Sequence, residues 1–452
     1  MPKKVAIVTE SFLPQVNGVT NSVVRVLETL KQHEIQAMVI APTAPSPKHL
    51  GFDVHTTAAI SLLQFPVAMP GPAISKLLDD FQPDVIHVAA PFMIGAQAIS
   101  WGQRNNVPTV AIYQTDVAGY LERYNLSFAK PVLEKIVGSI HYGATLNLAP
   151  TKEAAEYLRK ISGGRVEVWG RGVDLDLFNP KNVGDVETQV IRSRIAPPEH
   201  KVIGFVGRLA AEKQVHRMQE LFDLPNTSFL VVGDGPERER LEALFRGAPV
   251  TFTGALSGLE LARHYAAMDI FVHFGTEETF GQTIQEAQAS GLPVVAPNVG
   301  GPRHLIEHMK SGLLADPTQP AGYRSLVAQL LASEGLCRQI ALGAARSVEG
   351  RSWSANNAKL LQYYRDALAQ TQHPQHGAIV KVACSKRTRR QCNGHGTEQR
   401  GQQCHQTEKF LSPVHGLTHF RPAALQRLYP HTAHRAGLDL GIGPLYKKLH
   451  GR

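Results

Sequence analysis

Short runs of consecutive aliphatic and β-branched residues recur along the chain. Each is closed by glycine, proline or a polar turn and followed by a stretch in which apolar residues return at helical spacing. Uninterrupted apolar runs of strand length predict strands buried on both faces, as in a parallel sheet covered by helices. The expected strands are Val5–Thr9, Ala37–Ala41, Asp84–Ala89, Thr109–Tyr113, Leu146–Ala149 and Val166–Trp169 in the first part, then Val202–Val206, Ser228–Val232, Val250–Thr253, Ile270–Phe274 and Leu292–Ala296. Val23, Val24, Val26, Leu27 and Leu30 mark the buried side of the first helix, and Leu360, Leu361, Tyr364 and Leu368 that of a last one. The alternation over 452 residues predicts an α/β protein of at least two domains.

Beyond Gln370 the periodicity fails and His, Arg, Gln, Gly and Pro dominate, so 372–452 reads as a disordered tail. The tail changes the meaning of the net charge of +9, because it holds 13 Lys and Arg against 3 Asp and Glu, leaving 34 of 47 basic and 35 of 38 acidic residues in the body. The body is therefore near neutral, and a nucleic-acid partner is not expected for it. Three of the four cysteines (Cys384, Cys392, Cys404) are also in the tail, at spacings that fit no zinc pattern, so neither a disulfide framework nor a metal is expected. The chain opens on a strand without signal-peptide character, and no apolar run reaches the length of a membrane span. The expectation is a cytoplasmic protein whose contact with a bilayer is peripheral. Residues 117–138 mix Tyr120, Arg123, Tyr124, Lys130 and Lys135 with aliphatic residues, a composition that suits either an anionic membrane surface or a helix packed on its own domain.

The chemistry is concentrated between Thr276 and Gly301, where Glu278 and Glu286 flank a Phe280-Gly281 turn into a helix stopped by Gly291. The N-terminus of that helix directs free N–H groups and a positive dipole end above the sheet, which suits a phosphate. The loop after the first strand lacks a G-x-G-x-x-G run, which removes the main support for a dinucleotide-dependent oxidoreductase. Asp174 and Asp176 form an Asp-x-Asp pair with no further carboxylate or histidine cluster near them in sequence, so a divalent-metal site is not expected there.

The spacing of Glu278 and Glu286, the residues between them and the following Gly300-Gly301 resemble the GT-B nucleotide-sugar glycosyltransferases, specifically retaining family 4 with its E-x7-E motif. Gly207-Arg208-Leu209-Ala210-Ala211-Glu212-Lys213 is similar to the family's G-R-L-x-x-E-K. The resemblance covers residues 1–371 and implies two Rossmann-like doubly wound domains facing each other across a cleft. It places an acceptor-side domain at 1–170, a linker at 171–200, a donor-binding domain at 201–351 and a crossover helix at 352–371. It implies that Arg208 and Lys213 hold the donor diphosphate, with the Gly18 loop approaching from the other domain. Turns at Gly233 and Gly254 would line the base, and N–H groups from Phe280, Gly281, Gln282 and Thr283 would fix the hexose. Glu278 would hold sugar hydroxyls and Glu286 the ribose. Catalysis would then rest on Glu278, Arg208, Lys213 and Asp116, with no metal.

Gln114, Asp116 and Tyr120 fall on the acceptor side, and Gln114 stands where relatives often carry histidine, which removes a titratable group. Within the family, the segments NGVTNSV, YQTDVAGY, RGVDLDLF and GGPRHLI most resemble bacterial enzymes that transfer mannose from GDP-mannose to glycolipids. The catalytic motifs are shared with relatives that use UDP-sugars. A non-catalytic nucleotide-sugar sensor would be favoured by loss of the cations or carboxylates, and all four residues are present.

Overall fold

The computed structural model describes residues 1–372 apart from 16, 63–64, 115–129, 279 and 320. The first half forms an eight-stranded sheet from β1 (Lys4–Val8), β2 (Gln36–Ala41), β3 (Lys48–His49), β4 (Phe52–Thr56), β7 (Val85–Val88), β8 (Thr109–Ile112), β9 (Leu146–Ala149) and β10 (Val166–Val168), in the order β10-β9-β8-β7-β1-β2-β4-β3. Every pairing is parallel except that of β3 with β4. A separate antiparallel pair, β5 (Ala59–Leu62) and β6 (Phe65–Ala68), lies between β4 and β7 in the chain. The second half forms a six-stranded parallel sheet from β11 (Lys201–Val206), β12 (Thr227–Val232), β13 (Val250–Gly254), β14 (Ile270–Val272), β15 (Val294–Pro297) and β16 (Leu313–Ala315), ordered β13-β12-β11-β14-β15-β16.

The central strands are apolar and buried throughout, because helices cover both faces. Val5 and Ile7 face one hydrophobic cluster and Ala6 and Val8 the opposite one, and β11 divides its side chains in the same way. The elements that sequence reading passed over are β3 to β6 and β16. Phe52–Thr56 alternates buried Val54 with exposed Asp53 and Thr56, as a strand near a sheet edge does, and β16 is three residues long. Neither carries the continuous apolar run that identified the central strands.

The helix Trp353–Gln372 follows the second sheet in the chain but packs in the first half's core. Leu360, Leu361, Tyr364 and Ala367 are buried there with Val5, Leu27, Val85 and Val110. Its polar groups reinforce the docking. Asn357 Nδ2 donates to Arg25 O at 3.0 Å and to Thr29 Oγ1 at 2.9 Å, and the Tyr364 hydroxyl pairs with His87 Nδ1 at 2.8 Å. Burial lowers the His87 pKa to about 3, so this is a neutral pair. Among the described residues no helix is long and apolar enough to cross a membrane.

Tyr364→Phe leaves His87 Nδ1 without its partner in the core. It is expected to cost about 1–3 kcal/mol in thermal or denaturant unfolding, the penalty of an orphaned buried polar group. Tyr363→Phe, whose hydroxyl bonds Val168 O at a more exposed position, should cost less. Equal losses in the two variants would contradict this account of the docking.

Candidate functional site at the sheet switch points

β11 and β14 are neighbours in the second sheet, yet the chain leaves β11 towards β12 and β13 on one side and later fills β15 and β16 on the other. The loops at their carboxyl ends therefore diverge and open a crevice. The β11 loop carries Arg208 and ends in a 3-10 turn at Ala211–Lys213, while the loop after β14 carries Glu278. The two loops touch. Gln214 Nε2 donates to Thr276 Oγ1 at 2.9 Å, and a Cβ at Gly275 would come within 3.1 Å of Glu212 O.

Across this contact the Lys213 ammonium donates to Glu278 Oε2, and Arg208 is paired with Glu212. Burial works to raise the Glu278 pKa, but Lys213, His273 and Arg171 outweigh it and hold the carboxyl at about 2. His273 is stacked on Phe205, and burial lowers its pKa to about 4.

Gly281 takes φ +98°, a conformation that favours glycine, and starts the eight-residue helix Gln282–Ala289. The loop before it is seated on Gly300 and Gly301. Gly301 N donates to Glu278 O at 2.6 Å, and a Cβ on Gly301 would run into the Phe280 backbone. Glu286 projects from the helix into a different environment from that of Glu278. Its Oε2 accepts from the Tyr265 hydroxyl at 2.9 Å, and burial pushes its pKa up to about 7 against the opposing pull of Tyr265, Gln282 and Arg25. Two glutamates eight positions apart thus sit in opposite surroundings, one held ionised by neighbouring cations and one pushed towards protonation by burial.

At the first sheet the corresponding reversal falls between β1 and β7. Asn17 Oδ1 accepts from Val19 N and Thr20 N, both at 3.0 Å, and caps the helix Gly18–Gln32. Glu10, also after β1, accepts from Ile94 N at 2.9 Å at the start of the helix Met93–Asn105, and burial raises its pKa to about 7. Gln114 follows β8; its Nε2 donates to Ala89 O at 2.7 Å and its Oε1 accepts from Arg171 Nη2 at 3.2 Å. Asp116 and Tyr120 lie outside the described residues. Gly233 and Gly254 bridge one another at the ends of β12 and β13, with Gly233 N donating to Gly254 O at 2.8 Å. Asp174 is engaged with Arg25 Nη2 at 3.3 Å and accepts from Leu177 N at 3.1 Å. Among the described residues no group of three His, Cys, Asp or Glu side chains is arranged to hold a metal.

The fold therefore brings Arg208, Lys213, Glu278, Phe280, Gly281, Gln282, Thr283 and Glu286 to one end of the second sheet, and Gly18 and Gln114 to one end of the first. Arg171 joins the two groups. It is the first residue of the expected linker, and its guanidinium occupies the space where a Cβ on Gly18 would go, bonds Gln114 and lies 6.0 Å from the centre of the Phe280 ring. A signal was present, since Arg171 follows a strand of a parallel sheet as Gln114 does. Tyr265 is not among the residues the sequence singles out; nothing in its spacing links it to Glu286, and tertiary packing alone makes that pair.

Comparison with known proteins agrees with this arrangement. Residues 16–177 match the profile described as Glycosyltransferase Family 4, and residues 187–346 match Glycosyl transferases group 1. The GDP-mannose-dependent alpha-mannosyltransferase of Corynebacterium glutamicum is 39% identical over 379 residues, 82% of this chain and 91% of that protein. The protein of the same description from Mycobacterium tuberculosis is 41% identical over 372 residues, 80% of this chain and 96% of that one. Sucrose-phosphate synthase from Thermosynechococcus elongatus superposes with a TM-score of 0.67 at 21% identity, over 81% of this chain and 99% of the other, a likeness of fold. With two facing Rossmann-like sheets and relatives of this identity along most of its length, the chain belongs to the retaining family 4 glycosyltransferases of the GT-B fold.

Proposed function

We propose that this glycosyltransferase moves mannose from GDP-mannose to a glycolipid or oligosaccharide acceptor, with retention and without a metal. The donor is carried over from relatives described as GDP-mannose-dependent alpha-mannosyltransferases, and the acceptor from the family resemblance of the chain's own segments. The observation that best supports a nucleotide-sugar site is the contrast between Glu278, paired with Lys213, and Glu286, hydrogen-bonded by Tyr265, on either side of the Gly281 turn. In this reading residues 201–351 hold the donor and 1–170 present the acceptor. The segment 171–200 connects them, and the helix at 352–371 returns to the first half. Contact with an anionic membrane face is part of the proposal, through 117–138.

Breaking the bond from the anomeric carbon to the diphosphate adds negative charge to the leaving oxygen. Lys213 answers that charge, and its contact with Glu278 keeps the ammonium oriented before the bond breaks. Arg208 shifts from Glu212 to the diphosphate. Glu278, with a pKa of about 2, acts only as a hydrogen-bond acceptor and holds hexose hydroxyls. Glu286 accepts both ribose hydroxyls once ionised, and N–H groups from Phe280 to Thr283 hold the sugar over the reacting bond. Gln114 has no proton-accepting nitrogen, and its amide is occupied by Ala89 and Arg171. The acceptor hydroxyl therefore passes its proton to the departing diphosphate oxygen on the same face as it bonds to the anomeric carbon, with Asp116 helping to orient it.

Thermal shifts with GDP, UDP and ADP test the reading directly, since a ligand at a hundred times its dissociation constant adds about 2.7 kcal/mol of stability. GDP is expected to give the largest shift, and no shift with any nucleotide would refute the proposal. Glu286→Ala should abolish nucleotide binding while Glu278→Ala mainly lowers turnover; equal loss of affinity in both would contradict the division of roles.

The raised pKa of Glu286 adds a pH signature. Its carboxyl must be ionised to accept two hydroxyls, so GDP affinity should rise with pH up to about 7 and level off above it. Glu286→Gln should bind weakly and lose that rise, and a wild-type affinity that is flat across this range would rule the assignment out.

Lys213→Ala is expected to lower turnover more than donor affinity, because its partner charge develops in the transition state. EDTA should leave the rate unchanged. A requirement for added manganese would overturn the metal-free mechanism.

A further inference from the structure

We propose that Arg171 is a third cationic ligand of the donor's diphosphate, bound to the distal phosphoryl group across the cleft from Arg208 and Lys213. The inference rests on the reading of this cleft as a nucleotide-sugar site. It begins from a charge imbalance. The Arg171 guanidinium lies against Gly18, at the N-terminal end of a fifteen-residue helix, so a full positive charge sits beside a positive dipole end. The first N–H groups of that helix are already satisfied by Asn17 and give the cation nothing. On the other side lies the Phe280 ring, next to the N-terminus of the helix Gln282–Ala289.

Among the described residues no carboxylate forms an ion pair with Arg171. Among the described residues its guanidinium has one hydrogen bond, to the neutral Gln114 oxygen, and its Nε is buried with no partner there. Burial lowers the Arg171 pKa, countered by the charge of Glu278, which Lys213 already contacts. A partly buried cation left this way, with its Nε out of reach of solvent, is costly unless an anion completes it.

An anion that reaches Gly18, the Gly281 helix and Lys213 together must carry charge over more than one phosphoryl group, as a nucleoside diphosphate does. The planar fork of arginine suits two phosphate oxygens at once. Gln114 then has a definite purpose. Its Oε1 aims the guanidinium and its Nε2 is anchored on Ala89 O, so Gln114 is a positioning residue. The main chain around Arg171 is held independently of its side chain, because Gln285 Nε2 donates to Arg171 O and Gln282 Nε2 to Gly172 O, both at 3.0 Å.

The test compares GDP with GMP, which lacks the distal phosphate, on wild type, Arg171→Gln and Arg171→Lys, together with melting of each nucleotide-free protein. In Arg171→Gln, GDP affinity should fall about 10- to 100-fold and GMP affinity change by less than about twofold, as the loss of a charge-assisted bond to one phosphate requires. Arg171→Lys should recover part of the GDP affinity. The nucleotide-free Arg171→Gln protein should melt at the same temperature as wild type or higher, because a cation without an ion pair has been removed from beside a positive dipole end; a purely structural arginine would give a lower one.

Equal weakening of GDP and GMP, a lower melting temperature, or intact GDP affinity with a raised acceptor KM would each overturn the inference. The last result would assign Arg171 to an acidic acceptor instead. These outcomes leave the nucleotide-sugar reading standing, whereas a wild-type protein that binds neither GDP nor GMP would refute both.

Discussion

The arrangement of the site depends on how residues 170–174 are held. This stretch has no regular hydrogen-bonding ladder, yet its polar groups are matched from both halves of the protein. Gly170 O accepts from Asn356, Arg171 O from Gln285 and Gly172 O from Gln282, while Val173 N donates to Arg351 O and Asp174 pairs with Arg25. A Cβ on Gly172 would collide with the Trp353 backbone, so the segment admits no side chain there. Satisfying a buried irregular backbone in this way avoids the cost of orphaned polar groups and fixes one end of the first sheet against one end of the second. The helix that begins at Trp353 completes the constraint by burying Leu360, Leu361 and Tyr364 in the first half's core.

That constraint sets the electrostatics. The carboxyl ends of both sheets, with their helix N-termini, are directed at a shared space, and arginine and lysine side chains add full positive charges to it. Glu278 is the carboxylate that contacts Lys213 within the site, which is why its pKa falls although it is largely buried. Glu286 is set back behind Tyr265, where burial dominates and its pKa rises. The same side chain therefore acquires two chemical characters eight residues apart. A site built this way offers fixed donors and dipoles, which do not have to reorganise where charge develops.

Much of this was legible in the chain. The central strands were marked by continuous apolar runs, and the motif around Glu278 and Glu286 by its glycines, whose positions now have causes. Gly281 adopts a positive φ at the start of a helix, and Gly301 admits no Cβ because the Phe280 backbone lies on it. Edge strands such as Phe52–Thr56 were not legible, since half-exposed alternation over five residues is indistinguishable from a loop until a neighbouring strand is in place.

What the sequence determined by itself is the class of architecture, the family, and the identity of the carboxylates and cations, because these depend on local pattern and on short-range spacing. Tertiary structure alone decided which of those groups meet. Lys213 and Glu278 are 65 positions apart, Arg171 and Gln114 57, and Tyr265 and Glu286 21. Such contacts follow from the reversal of strand order at each sheet and from the docking of 170–174, neither of which leaves a periodic trace in the chain. Arg171 shows the difference most clearly. In sequence it is an arginine in a connecting stretch, and it becomes a cation facing the cleft only when Gly18, Gln114 and Phe280 close around it.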